Sequence, residues 1–322
     1  MKKYIKITLL IVISLLFILS YRVYGDANIL VFHRFGDPRY PSTNISQQRL
    51  RKIFNYFEDN NYQVLSLEEL VNKIEEGNSI GDKTVALTID DGYESFYKNG
   101  LEIFKEYDYP FTIFINSKAI SHNYGDFLTW AQLRKISRYG SIGGHSYGHK
   151  HLTKLSLEEL KSEIQKNLDD IYDNLGIKVD FFSYPYGEYD TKVKEVVKSF
   201  GFKAIFNQNL GAVSEQSNLF DLDRIAIGED SNLELNLSYK YLKAKWLDQQ
   251  EAVKNNKLIK VEVQTNPNIE KAQLYFSGYG WRRVELEKGR LCLDLDLPLR
   301  YSRNRIFLKT YDNRISSQII VK

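Results

Sequence analysis

The sequence predicts an α/β protein with a parallel sheet, followed by a small domain built from strands alone. Three observations carry that expectation. From residue 28 to about 206, short apolar runs alternate with amphipathic segments. Near residue 250 the rhythm changes, and strand-like runs then follow one another with turn residues between them. The chain has 322 residues, 43% of them hydrophobic, which is enough for two cores and excludes a disordered tail or a collagen. A β-α-β-α order implies parallel strands joined by helical crossovers, in an open sheet or a barrel. Such folds place their chemistry at the C-terminal ends of the strands.

The elements follow in order. Asn28–Phe32 reads as a buried strand, and Ser46–Asn61 as a helix with Leu50, Ile53, Phe54 and Phe57 on one stripe. Gln63–Leu65 is a short strand. Ser66-Leu67-Glu68-Glu69 is a capping box that opens a helix to about Glu76. Thr84–Ile89 and Phe111–Ile115 are strands that flank a helix over Tyr93–Tyr107. Thr129–Ser137 is helical and Ser141–Gly143 is a short strand. A second capping box at Ser156 opens a long helix to about Leu175. Phe181–Tyr184 (strand), Thr191–Phe200 (helix) and Lys203–Phe206 (strand) complete the alternation.

Beyond a polar linker candidate, Glu251–Lys257, six strand-like runs from Ile259 to Val321 suggest an antiparallel β-sandwich. The expected organisation is an N-terminal segment over 1–25, a main domain over 26–250 and a β-domain over 251–322.

The first 25 residues read as an address. Lys2, Lys3 and Lys6 precede a 14-residue apolar run, Ile7–Ser20, which is short for a membrane span but fits a secretory signal. Val23-Tyr24-Gly25 offers a cleavage site after Gly25; an uncleaved membrane anchor is the alternative. Both place the body outside the cytoplasm, secreted, periplasmic or at the cell surface. The formal charge of +3 is misleading, because four of the 44 basic residues and none of the 41 acidic ones lie in this segment. The remainder is close to neutral, so no nucleic-acid partner is expected. The lone cysteine, Cys292, excludes an intrachain disulfide and a cysteine-based zinc site, and reads as a small buried hydrophobe.

The chemistry gathers at strand ends. Thr84–Ile89 runs into Asp90-Asp91-Gly92, two carboxylates at the end of an apolar strand, costly there unless bound to something. Alternation along a strand points them in different directions, so one can hold a metal while the other meets substrate or water. After the strand at 141–143 come His145 and His149, four apart, which on a helical turn would stack both imidazoles on one face. Three of the five histidines lie between 145 and 151, and this clustering favours a metal site over solvated loop residues. The third strand ends in Pro185-Tyr186-Gly187, a rigid turn whose Tyr186 N–H could stabilise an oxyanion. His33 directly follows the first strand, as a core-edge residue or a proton donor. Together they form a kit for metal-assisted hydrolysis of an amide or ester.

These motifs resemble those of the polysaccharide deacetylase family, the NodB-homology group of carbohydrate esterases. Thr88-Ile89-Asp90-Asp91-Gly92 matches its T-F-D-D-G motif, and His145-Ser146-Tyr147-Gly148-His149 with Leu152 its H-S-x-x-H-x-x-L motif. Ser183-Tyr184-Pro185-Tyr186-Gly187 matches R-x-P-Y-G in part. The resemblance covers about residues 28–230 and implies a distorted (β/α)7 barrel. It implies Asp90 as catalytic base, with Asp91, His145 and His149 as ligands of a divalent metal, zinc first, with cobalt or nickel as alternatives. It also implies removal of N-acetyl groups from N-acetylglucosamine polymers.

Ser183 stands where the family commonly has an arginine, and no late Leu-x-Leu-His motif is present. Arg224 could supply the guanidinium and His33 the acid. The Tyr-Pro-Tyr-Gly turn, the early histidine and Phe127-Leu128-Thr129-Trp130 are similar to the poly-β-1,6-N-acetylglucosamine deacetylase branch of biofilm systems. In that reading Trp130, Tyr184 and Pro185 line the sugar groove, Trp130 equally well by packing alone. The polysaccharide would be the partner, with membrane association through the N-terminal segment and synthesis or export machinery as further candidates. The rivals are a peptidoglycan or chitin-oligomer deacetylase, and a non-catalytic glycan-binding protein on the same barrel. Tyr275, Tyr279 and Trp281 could bind glycan from the C-terminal domain.

Overall fold

A computed structural model describes residues 25–247 and 249–322. The N-terminal signal or anchor expected over 1–25 lies outside the described residues except for Gly25.

The main domain is built on an eight-stranded parallel sheet. Its strands are β1 (Ala27–Phe32), β4 (Gln63–Leu65), β5 (Thr84–Ile89), β6 (Thr112–Ile115), β7 (Ser141–Gly144), β8 (Phe181–Ser183), β9 (Ala204–Phe206) and β10 (Ile225–Ala226). Two short strands, β2 (Arg34–Phe35) and β3 (Asn44–Ile45), pair with each other beside it. The continuous order is β10-β1-β5-β6-β7-β8-β9, with β4 on the first half of β5. Residues 219–226 carry the sheet round on itself. Leu222 bridges Phe206 of β9, and Ile225 then pairs with Leu30 of β1. This fits the expected (β/α)7 barrel.

All six residues of β1 and of β5 are buried, as a parallel sheet covered on both faces requires. The two faces are distinct. Leu30, Phe32, Val85, Leu87, Ile113 and Phe182 join the core under the helices, whereas Ile29, Ala86, Phe114, Phe181 and Phe206 fill the other face, inside the barrel. The two-residue period of a strand therefore assigns every strand-end side chain to the interior or to the helix layer.

The helices start where the capping chemistry places them. Ser66 and Ser156 each accept the N3 backbone N–H, with Glu69 and Glu159 reaching back. The second box opens the 19-residue helix Leu157–Leu175, which ends on Gly176 at φ 70°. The helix expected over Tyr93–Tyr107 is divided into a π turn, Phe96–Gly100, and an α-helix, Leu101–Glu106.

The C-terminal region is mostly strands, in two sheets. One is ordered β11-β19-β18-β15-β16: Lys240–Tyr241, Arg314–Val321, Arg303–Lys309, Lys271–Phe276 and Gly280–Glu285. The other holds β12 (Lys245–Trp246), β13 (Val253–Lys254), β14 (Lys257–Gln264) and β17 (Arg290–Pro298). Apolar residues of both, among them Val261, Leu274, Leu291 and Leu308, share one core. That core begins at Leu242 and includes Ala252, so Glu251–Lys257 is not a linker and the change of domain falls about ten residues earlier than position 250. Cys292 is exposed, not buried. Its neighbours Leu291 and Leu293 take the inward positions of β17, and alternation sends the thiol to the other face.

The β-domain packs on the barrel beside the strand ends. Arg303 Nη1 donates to the Tyr186 carbonyl at 2.8 Å, and Arg305 Nη1 to the Gln208 carbonyl at 2.7 Å.

Candidate active site

Six strands deliver the site. Thr88 and Asp90 continue the inward parity of Ala86, Ser183 that of Phe181, and Gln208 that of Phe206. His145 follows Gly143, where an added Cβ would meet Phe114 of the interior at 2.4 Å. Arg224 enters just before β10 and lies over the Phe114 ring, fully buried.

At the centre is an ion pair. Arg224 Nη1 donates to Asp90 Oδ1 at 2.8 Å, and Nη2 to Asp90 Oδ2 at 2.7 Å. The guanidinium also donates to Ser183 Oγ at 2.7 Å, Thr88 Oγ1 at 3.2 Å and the Asn207 carbonyl at 2.8 Å. Ser183 Oγ and Gln208 Nε2 each donate to Asp90 Oδ2 at 3.3 Å. Oδ2 thus receives three donors and Oδ1 one. Burial alone would lift the Asp90 carboxyl, but the charges of Arg224 and His145 outweigh it and hold it below the usual carboxylate range. The arginine missing at position 183 is therefore replaced in space by Arg224, with Ser183 as the small residue that leaves room for it.

Asp91 turns the other way. Its backbone is left-handed, φ 74°, and Gly92 follows at φ 75°. An added Cβ at Gly92 would press on Ile115 at 3.1 Å, so both conformation and space call for glycine there. Asp91 Oδ1 lies 3.0 Å from His149 Nε2 and 3.4 Å from His145 Nε2. Burial raises the Asp91 carboxyl, and hydrogen bonds from the two imidazoles bring it well below its ordinary value. Burial lowers His145, and Asp90 and Asp91 more than reverse that.

The two histidines do not share a helical turn. Ser146 (φ 62°) and His149 (φ 51°) are left-handed, and the chain loops between them. The loop is held from outside by Glu163, whose carboxylate accepts the Gly148 N–H at 2.7 Å and pairs with Lys150 at 2.9 Å.

The donor set fits a divalent metal. The ligand atoms of Asp91, His145 and His149 lie within 4.8 Å of one another. Two ligands about 2.0–2.1 Å from one ion at a tetrahedral angle stand about 3.3 Å apart, close to the separations between Asp91 and the imidazoles. His145 Nδ1 meets the Ser183 carbonyl at 2.7 Å. A carbonyl can only accept, so Nδ1 carries a proton, and Nε2 is the nitrogen that would present its lone pair to a metal in place of the proton it shares with Asp91. A cavity of about 180 Å³ opens beside Asp91 and His149, with Tyr93, Tyr124 and Phe127 on its walls.

His33 follows β1, whose Phe32 is paired with Ile89, and is partly buried. Burial lowers it, and Asp91 and Asp90 oppose that only in part. Tyr186 has left-handed backbone, φ 61° and ψ 1°, and its ring stacks on His151 at 4.2 Å and meets the His149 ring edgewise at 4.4 Å. Gly187 is packed so closely that an added Cβ would lie 2.7 Å from the Gln208 nitrogen. His151 donates from Nδ1 to Glu188 at 2.7 Å and stands outside the donor set.

The expected groove residues fare differently. Tyr184 has no exposed surface and stacks on Tyr189 at 4.9 Å in the helix layer, because it follows the inward-facing Ser183. Pro185 is also buried. Trp130 opens the helix Trp130–Ile136 and packs against the helix-layer core. The aromatic walls beside the donor set are instead Tyr93, Tyr124 and Phe127. Sequence reasoning missed Thr88, Gln208, Asn207 and Glu163. The inward parity of β5 and β9 marks the first two; no local signal marks Asn207 or Glu163.

Fold and site define a hydrolase barrel, with a carboxylate–imidazole donor set beside a second, arginine-held carboxylate. Residues 77–205 match the family model described as polysaccharide deacetylase, hydrolases that act on N-acetyl amide bonds. A poly-beta-1,6-N-acetyl-D-glucosamine N-deacetylase of Escherichia coli (strain K12) is 24% identical over 240 residues, covering 62% of this chain and 35% of that protein. The chain thus spans about a third of that relative. The protein of the same name from Staphylococcus aureus (strain MSSA476) is 23% identical over 230 residues, covering 66% of this chain and 79% of its own length. Among solved structures, Streptococcus pyogenes deacetylase PplD in complex with acetate superposes with a TM-score of 0.61 at 22% identity, over 66% of this chain and 96% of that one.

Proposed function

We propose that this protein removes acetyl groups from N-acetylglucosamine units of an extracellular polysaccharide, poly-β-1,6-N-acetylglucosamine, and releases acetate. The observation that carries the reading is the Arg224–Asp90 pair set directly beside the donors of Asp91, His145 and His149. The names of the Escherichia coli and Staphylococcus aureus relatives support the choice of polymer.

A divalent cation held by Asp91, His145 and His149, zinc first and cobalt or nickel next, would supply a lowered water pKa and a polarised acetyl carbonyl. Asp90 accepts the proton of the attacking water. Its Oδ2 lies 4.0 Å from His145 Nε2 of the donor set. Arg224 keeps the carboxylate ionised and fixes its plane. The Tyr186 N–H, presented by the Pro185–Gly187 turn, donates to the oxygen that gains charge. His33 gives a proton to the departing amine. The freed amine is cationic at neutral pH. Action outside the cytoplasm follows from the substrate and the N-terminal segment. Among the described residues no helix is long and apolar enough to cross a membrane.

The test is acetate release by the purified chain from β-1,6-linked N-acetylglucosamine oligomers, with chelator and then with zinc, cobalt or nickel restored. Metal-dependent release supports the reading. Release from chitin or peptidoglycan oligomers alone would move the substrate, and no release from any of them would replace the enzyme with a binding protein.

A further inference from the structure

A second cavity, about 570 Å³, lies at the seam between the barrel and the β-domain. That volume is within the range of about 300–1,000 Å³ of small-molecule sites. The barrel wall separates it from Asp90, and the wall residues alternate across it. Gln208 points inward to Asp90, while Asn207 donates from Nδ2 to Asp221 Oδ1 at 2.7 Å and Asp223 Oδ1 at 2.9 Å. Arg224 points inward to Asp90, and its neighbour Asp223 lines the cavity.

Two features show that the cavity is built to hold something. The first is an excess of carboxyl groups: Asp190, Asp221 and Asp223 line the cavity with Lys194 and Lys245. Lys194 pairs with Asp221 at 2.7 Å, while Asp223 has amide donors for partners. Burial, and then the neighbouring charge of Asp221, push the Asp223 carboxyl well above its ordinary value. The second is independent of the first. Ser317 is 3% exposed, lines the cavity, and its Oγ has no hydrogen-bond partner. It shares the barrel-facing side of β19 with Ile315, which packs into the barrel-side core. A buried hydroxyl without a partner is costly, and a ligand hydroxyl would satisfy it. Tyr241 and Trp246 form an aromatic wall, the indole fixed by its Nε1–H donating to Ser316 Oγ at 3.0 Å.

We propose that this cavity is a second saccharide site that takes a glucosamine unit, its ammonium on Asp223, a hydroxyl on Ser317 and its ring against Trp246. Three carboxylates and two lysines line the cavity, so an ammonium supplies the cation that would balance them, and it gains further from an indole face. The identity of the sugar rests on the deacetylase reading; the site itself does not.

The experiment is calorimetric titration of the full chain at pH 7 with a β-1,6-linked glucosamine trimer and with its N-acetylated counterpart. The glucosamine trimer should bind saturably and the acetylated one at least about tenfold more weakly, the size of one charge-assisted hydrogen bond. Asp223→Asn should weaken the glucosamine trimer by a similar factor. Ser317→Ala, which removes an unpartnered group and keeps the fold, should weaken it as well. Asp91→Asn should leave this binding unchanged. Equal binding of the two trimers, unchanged affinity in both Asp223→Asn and Ser317→Ala, or loss with Asp91→Asn would each overturn the proposal. Acetate release, followed separately, tells its failure from failure of the deacetylase reading: glucosamine binding without acetate release sinks only the latter.

Discussion

Arg224 closes on both carboxylate oxygens of Asp90, at 2.8 and 2.7 Å, from 134 positions further along the chain, and both side chains are fully buried. A bidentate guanidinium fixes the plane of a carboxylate as well as its charge, which a lysine could not do. Ser183, Thr88 and Gln208 complete the shell around the pair.

Breaking this pair should unfold as well as inactivate. Arg224→Met leaves a buried carboxylate unmatched, at a cost of about 3–5 kcal/mol. Adding Asp90→Asn removes the unmatched charge, so the double variant should regain most of the lost stability and none of the acetate release. Denaturant melts and acetate assays on the single and double variants check this. A double variant as unstable as Arg224→Met would show that the pair is not the source of the loss.

Metal affinity should depend on the loop between the histidines as well as on the ligands. Glu163→Ala frees the Gly148 N–H and Lys150, and should weaken zinc binding by about 10–100-fold, the usual effect of losing an outer support. Glu163→Gln keeps an acceptor for Gly148 and should restore most of it. Competition with a chromogenic chelator gives both affinities, and an Ala variant that binds zinc normally would remove Glu163 from this role.

His33→Gln should retain metal but lose about 10²–10⁴-fold in turnover, the range of a general acid. The sign of the pH effect follows from the roles. The acid must be protonated, so wild-type activity falls as pH rises through the His33 pKa, which burial holds below its ordinary value. In His33→Gln that alkaline limb should vanish. The acidic limb reports Asp90, held below the usual carboxylate range, and should remain in the variant. A pH–rate profile of each protein decides it; an alkaline limb kept by His33→Gln would give the acid's role to another group.

The helix Leu157–Leu175 carries Glu163 and Asn167, whose Oδ1 accepts the His145 N–H at 3.1 Å. Its capping box should therefore matter to the whole domain. Ser156→Ala is expected to cost about 1 kcal/mol, measured by urea denaturation, with acetate release unchanged at temperatures well below the melt. A loss near zero would mean that tertiary packing alone sets this helix start.

Local chemistry decided much of this protein from sequence alone. Capping boxes at Ser66 and Ser156 located two helix starts, apolar runs located the barrel strands, and the Asp90-Asp91-Gly92 and His145–His149 motifs named the donor set. These are short-range signals, each satisfied within a turn or a strand. The period of two along β8 and β9 was also present in the sequence, and it separates the inward Ser183 from the outward Tyr184; the groove assignment of Tyr184 went against it. What only the tertiary structure decided is which distant groups meet. The closure of the sheet through residues 219–226 brings Arg224 under Asp90. The left-handed turns at Asp91, Ser146 and His149 converge the donors without a helix. Covering of the seam by β19 brings Ser317 and Asp223 to the walls of one cavity. Each depends on long-range packing that no local pattern encodes, because a side chain's partner across a barrel is chosen by the path of the backbone between them.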